Sequence, residues 1–265
     1  MACISTITRR ASKRAAALAL AAPLCGGATP CPAQIYLTFD TGNMAQAEFI
    51  AGQLRQRQIA ATFFLANERT TRGDYALDDS WAGFWRQLSS EGHAFGSHSI
   101  SHARWLADGK DGRLVMRPQF GPQAGQSVRW DQAQFCQDLQ QARARFFSLT
   151  GRHSEPLWRA PGGHVSARSL DFGRACGLQH VGWSPAGFSG DEQSSERYPN
   201  PVLLKRLLHN LKAGDVVMAH LGIWSRRDPW APAVLPPLLD GLRARGFCFA
   251  TLREHPAYRL SPKKE

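Results

Sequence analysis

Ile35-Tyr36-Leu37-Thr38-Phe39-Asp40-Thr41-Gly42 is a short β-rich run that ends on a carboxylate followed by turn residues. Its aromatic and β-branched side chains favour a strand from Ile35 to Phe39, and Gly42 allows the chain to swing away just beyond it. Similar runs recur at Ala61 to Leu65, His93 to Ser97, Leu157 to Arg159, Gln179 to Trp183, Val216 to Ala219 and Phe247 to Thr251. Helical patterns lie between them, over Ala45 to Arg57, Trp81 to Ser90, Asp131 to Leu149, Ser166 to Cys176, Pro201 to Lys212 and Ala233 to Arg245. Strands alternating with helices predict an α/β fold on a parallel sheet, and no internal repeat interrupts the pattern.

The chain has 265 residues with 43% hydrophobic and 10% aromatic side chains. That is enough apolar material for one domain with a sizeable core. Residues 104–129 break the rhythm with Gly, Pro and charges, and read as an inserted loop at the rim. The domain is expected over 34–256, with a tail at 257–265.

Residues 1–33 read as an export signal: a cationic stretch from Arg9 to Arg14, an apolar run from Ala15 to Leu24, then small residues and prolines. The apolar run is shorter than the ~20 residues of a transmembrane span. Thr8-Arg9-Arg10-Ala11-Ser12-Lys13 is similar to a twin-arginine signal, although Ser12 stands where an apolar residue is usual, so general export stays open. Cleavage after Ala28 or after Ala33 suits the small-residue rule, and bulky Leu24 argues against lipidation of Cys25. The protein is therefore expected in the periplasm or outside the cell.

The net charge is +11, and without residues 1–33 the remainder holds 28 basic against 21 acidic residues, or +7. No basic run with interleaved aromatics and no nucleic-acid motif accompanies it, so an anionic wall polymer or a solvated surface is expected rather than nucleic acid. Six cysteines are present, of which Cys136, Cys176 and Cys248 lie beyond the N-terminal segment. Their wide spacing forms no zinc framework; a disulfide of unassigned pairing and plain burial as small hydrophobes are both open.

The chemistry-bearing side chains fall at or just beyond predicted strand ends: Asp40, His98, Arg159, Trp183 and His220. Parallel strands gather their C-terminal ends on one face, where α/β barrels build active sites, so residues scattered over the chain can converge. His98-Ser99-Ile100-Ser101-His102 spaces two imidazoles so that one helical turn or tight loop can aim both at one ion. Each residue also has a plain structural reading: Asp40 as a turn cap, Arg159 as an ion-pair partner, His220 as a core histidine.

Four segments together carry a resemblance. Thr38-Phe39-Asp40-Thr41-Gly42, His98-Ser99-Ile100-Ser101-His102, Arg159-Ala160-Pro161-Gly162-Gly163 and Met218-Ala219-His220 resemble, in order, motifs one, two, three and five of the polysaccharide deacetylases of the NodB-homology type, carbohydrate esterase family four. Ala61-Thr62-Phe63-Phe64-Leu65 is similar to that family's second strand. The resemblance implies a distorted seven-stranded (β/α) barrel and a metal-assisted removal of N-acetyl groups from amino-sugar polymers or oligomers. It implies zinc or a related divalent ion on His98 and His102, with Thr41 at the third metal position. Water activated by that ion would be the nucleophile, Asp40 the general base, Arg159 the residue orienting it, and His220 the general acid.

Two departures stand out. The family usually has a second Asp after the base, a metal ligand; Thr41 replaces it with a poorer, neutral ligand, and the alternatives are weaker binding of the ion, a recruited water, or a carboxylate from elsewhere such as Asp191 or Glu192. The fourth motif, Trp183-Ser184-Pro185-Ala186-Gly187-Phe188-Ser189-Gly190, lacks the family's acids, and Asp191 or Glu192 is expected to buttress Arg159 instead. Pro161, Gly162, Trp183, Phe188 and Trp224 are candidate substrate contacts, as aromatic walls or loop edges, with Trp230 beside them. Peptidoglycan is the first substrate expected, with chitin-like oligomers close behind. The alternatives are a carbohydrate-binding pseudoenzyme of the same fold and a metal-dependent amidase acting on a small non-sugar amide.

Overall fold

β1 (Gln34–Asp40) is buried from Ile35 onward, as expected of a strand covered on both faces. The structure, a computed structural model, describes residues 31–258. The predicted export signal up to residue 30 and the tail from residue 259 lie outside the described residues.

β1 pairs in parallel with β9 (Val216–His220) from Tyr36 to Asp40. It also pairs with β10 (Cys248–Ala250) at Gln34 to Tyr36 and with β2 (Thr62–Leu65) at Thr38 to Asp40. Tyr36 is shared by β9 and β10, and Asp40 by β9 and β2, so β10 and β2 occupy one edge of β1 in succession. The sheet continues through β3 (Ala94–Ser97), β7 (Leu157–Trp158) and β8 (Gln179–His180), every pairing parallel. Between β8 and β9 the closure is partial: the Ser184 amide donates to the Val216 carbonyl at 3.0 Å, and Phe188 bridges Met218. The result is a curled parallel sheet, a half-barrel in one domain, as the alternating pattern predicts. All seven predicted strands are present, with β7, β8 and β10 shorter than expected.

Helices α1 (Ala47–Gln56), α2 (Ala82–Ser90), α3 (Gln132–Thr150), α4 (Ala167–Ala175), α5 (Asn200–Asn210) and α6 (Trp230–Ala244) complete the pattern. α3 starts at an Asp131/Gln134 capping box and stops at Gly151, whose φ of 68° closes the helix. The main core joins one face of the sheet to α1, α2, α5 and α6, with Phe63 between Phe39 and Phe95 at 5.6 and 5.7 Å.

Residues 104–129 are not the loop the composition suggests. β4 (Arg104–Asp108), β5 (Leu114–Arg117) and β6 (Val128–Trp130) form an antiparallel three-stranded sheet. Leu114 and Met116 turn inward with Trp130 onto Phe135, Leu139 and Trp158, which gives the insertion a core of its own. Two disulfides, Cys31–Cys248 and Cys136–Cys176, use all four cysteines among the described residues, so the reading of them as plain buried hydrophobes is corrected.

Candidate functional site

Strand register brings the chemistry together. Asp40 lies level with Phe64 on one side and His220 on the other. Leu65, Ser97 and Trp158 form the next level across β2, β3 and β7, and the residues following the last two are His98 and Arg159. Four side chains far apart in sequence thus meet at the C-terminal rim of one sheet, the place where parallel α/β folds assemble sites.

Arg159 is fully buried and donates from Nη1 to Asp40 Oδ1 at 2.8 Å, from Nη2 to the Gly182 carbonyl at 3.0 Å and from Nε to the Val181 carbonyl at 3.3 Å. The guanidinium stands 4.2 Å over the Phe64 ring and 5.8 Å from the Trp183 ring, so both its charge and its plane are fixed. Burial pushes the Asp40 carboxyl up, and Arg159 together with His98 and His220 holds it below the usual carboxylate range. Asp40 Oδ2 is 3.6 Å from His98 Nε2. Burial pushes His98 down to about 4, against the pull of Asp40, so the imidazole is neutral near pH 7 and the guanidinium supplies the charge that keeps Asp40 ionised.

The segment 98–102 is a tight turn rather than a helix. Ser99 and His102 have φ of 66° and 48°, strained backbone for such residues. Asp138 of α3 holds them there by accepting from the Ser99 and Ser101 hydroxyls, while the Ser99 Oγ accepts from the Ala103 amide at 2.9 Å. The two rings lie 4.9 Å apart. His98 Nδ1 bonds the Arg159 carbonyl at 3.0 Å and His102 Nδ1 bonds Gln119 Oε1 at 2.8 Å. Donation from both Nδ1 atoms leaves both Nε2 lone pairs free, the arrangement of metal-ligating histidines. Among the described residues no three His, Cys, Asp or Glu side chains stand preassembled for a metal ion. The donor set nevertheless fits a divalent ion in kind: two anchored imidazoles facing buried carboxylates.

One of those carboxylates escapes the sequence reading. Glu68, three residues past β2, accepts from the Thr41 hydroxyl at 2.5 Å and from the Gly42 amide at 2.6 Å through Oε2, and its Oε1 is 3.9 Å from His102 Nε2. Burial pushes its carboxyl up; the facing His102 and His98 and the Thr41 hydroxyl hold it below the ordinary range. Gly42 is required beside it, because a Cβ there would stand 2.0 Å from the Gly222 carbonyl oxygen at a φ of 60°. Position beyond a strand end was available as a signal for Glu68; its burial was not.

His220 closes the other side. Its Nδ1 is 3.1 Å from both oxygens of Asp191, and its amide donates to Asp191 Oδ2 at 2.7 Å. Burial pulls the imidazole down, but the Asp191 charge and hydrogen bond, with Asp40 and Glu192 behind them, push it up to about 10. Asp191 therefore serves His220. The expected buttress of Arg159 by Asp191 or Glu192 is corrected: Asp40 and two backbone carbonyls fill that place, and Glu192 is exposed with Oε2 3.9 Å from His220 Nε2. Trp183 stacks on Phe188 at 6.2 Å and covers Gly163, which leaves no room for a Cβ. A cleft of about 280 Å³ runs past His220, Asp191, Asn43 and Trp224, the last 63% exposed. Trp230 lines it too but is packed into the core. Pro161 faces a crevice under Trp105 and Trp130, and Gly162 sits on the surface against Arg104; neither lines the cleft.

A curled parallel sheet is the fold of the carbohydrate esterase family four structures that this chain resembles. A pseudoenzyme of that family from Bacillus anthracis superposes with a TM-score of 0.60 at 15% identity, over 84% of this chain and 64% of that one. The Bc1960 peptidoglycan N-acetylglucosamine deacetylase superposes with a TM-score of 0.61 at 19% identity, over 84% of this chain and 87% of that one. In sequence, the family model for polysaccharide deacetylases matches residues 27–181. The chain belongs to the polysaccharide deacetylase family. It is 24% identical over 227 residues to the Bacillus subtilis (strain 168) protein named "Putative polysaccharide deacetylase YheN", covering 83% of this chain and 67% of that one. The chain thus spans about two thirds of YheN and slightly less of the pseudoenzyme.

Proposed function

We propose that this protein is a divalent-metal-dependent hydrolase that removes N-acetyl groups from amino-sugar polymers or oligomers, with peptidoglycan as the first substrate to try. The observation that carries the proposal is the meeting of Asp40, His98, Arg159 and His220 at one sheet edge, each already held by its own partner. A divalent ion, zinc or a relative, bound by His98 and His102 would polarise the acetyl carbonyl and lower the pKa of water. Asp40, kept ionised and aimed by Arg159, takes the proton from the attacking water. His220 has Nδ1 committed to Asp191 and donates from Nε2 to the departing nitrogen as the carbon–nitrogen bond breaks, so that amine and acetate leave. Trp183 and Phe188 offer an apolar wall for the acetyl methyl, and exposed Trp224 a face for a sugar ring.

Export of the chain would bring it to a wall substrate. Two disulfides suit an oxidising compartment, and no helix among the described residues is long and apolar enough to cross a membrane. Because Cys31 pairs with Cys248, cleavage after Ala28 keeps that disulfide and cleavage after Ala33 removes it. Intact mass of the exported protein should place its first residue at or before Cys31.

A carbohydrate-binding pseudoenzyme is the second reading, favoured by Thr41 at a position where the family usually has an acid. Acetate release from N-acetylated glycans by metal-loaded protein separates the two: turnover supports the enzyme, and glycan binding without acetate supports the pseudoenzyme.

A further inference from the structure

The geometry points to Glu68 as the third protein ligand of the ion, supplied by the loop after β2 and oriented by Thr41. This inference rests on the metal-dependent reading above and deepens it.

Charge balance at the site is the first ground. Asp40 has the Arg159 guanidinium as its counter-ion. Glu68 is nearly as buried, yet among the described residues its one cation-capable neighbour within ion-pair distance is His102, at 3.9 Å. Among the described residues no guanidinium or ammonium stands within ion-pair distance of Glu68; its carboxylate shares a buried space with two imidazoles, where a joining cation would balance the buried charge.

Orientation is the second ground. Oε2 is engaged by Thr41 and Gly42, which leaves Oε1 as the atom turned toward His102. Thr41 spends its hydroxyl proton on Glu68 and accepts from the Ala66 amide at 3.2 Å, so it is placed to orient a ligand rather than to be one. The separation of 3.9 Å between Oε1 and His102 Nε2 is within about half an ångström of what a tetrahedral ion with ~2.1 Å bonds requires. The loop is also tied to the histidine turn, the Asn67 amide donating to the Ile100 carbonyl at 2.9 Å, so the carboxylate and the imidazoles are carried by one braced unit.

Chelator-competition titration of Zn²⁺, with the visible absorption of the Co²⁺ form as a second readout, tests this on the full chain. Wild type should bind one ion. Glu68→Gln should bind it at least ~100-fold more weakly, with an altered Co²⁺ spectrum, and Thr41→Val about 10- to 100-fold more weakly, the range for loss of an outer-sphere partner. Asp191→Asn and Glu192→Gln should bind as wild type does. Glu68→Gln should lose the rise in Tm that wild type shows on adding Zn²⁺. If Glu68→Gln does not fold, Thr41→Val carries the test, and wild-type affinity in that variant overturns the inference. Unchanged affinity and spectrum in Glu68→Gln overturn it while leaving the metal-dependent reading intact, as does weakening confined to Asp191→Asn or Glu192→Gln. Absence of metal binding by wild type overturns both.

Discussion

At the scale of single residues, Asp191 sets what His220 can do. The pair raises the imidazole from its ordinary 6.5 to about 10, so His220 stays protonated through neutral pH. Because the folded value exceeds the unfolded one, the pair's contribution to stability is fully present below about 6.5 and is lost as pH rises through about 10. Asp191→Asn should move the His220 titration, followed by histidine NMR, down toward 6.5 and shift the alkaline limb of kcat/KM in the same direction; an unmoved titration contradicts the assignment. Arg159 invites the complementary test. Arg159→Met strands Asp40 as a buried charge and should cost roughly 3–5 kcal/mol in denaturant unfolding; a change under ~1 kcal/mol would show that the pair is not what balances Asp40. Asp40, Arg159 and His220 were legible because they end strands and match short motifs, whereas Asp191 was expected beside Arg159 and not His220. Glu68 and Asp138 were not legible, since one lies in a loop, the other mid-helix, and what matters in both is burial against partners distant in sequence.

At the scale of elements, the alternation of strands and helices carried the fold, and the lapses have local causes. β7 and β8 are two residues each, too short for any period, and are held by hydrogen bonds from neighbouring loops. The insertion's strands were hidden by the Gly, Pro and charged residues around them and by the mostly exposed β4, although Asp111-Gly112 between Trp105-to-Asp108 and Leu114-to-Met116 is a hairpin-turn signal and Leu114 and Met116 alternate inward. That sheet also contributes to the site, because Gln119, between β5 and β6, anchors His102. The Cys136–Cys176 disulfide ties the first turns of α3 to the end of α4, across 40 residues. Replacing both cysteines with alanine should lower stability by roughly 2–4 kcal/mol, read as a fall in Tm that reductant reproduces in wild type; an unchanged Tm in both would contradict the pairing.

At the scale of the whole molecule, the half-barrel gathers Asp40, His98, Arg159 and His220 at one rim and leaves a cleft beside His220. The basic surface expected from composition is consistent with an anionic wall polymer but does not choose among glycans. The central claim is that this rim performs metal-dependent amide hydrolysis. Acetate release from an N-acetylglucosamine oligomer and from peptidoglycan, measured for chelated protein, metal-restored protein and metal-restored Asp40→Asn, tests it most directly. The account predicts release by the restored wild type alone, with Asp40→Asn reduced by about 10²- to 10⁴-fold. Equal release by chelated protein or by Asp40→Asn, or no release from either glycan with any divalent ion, would contradict it.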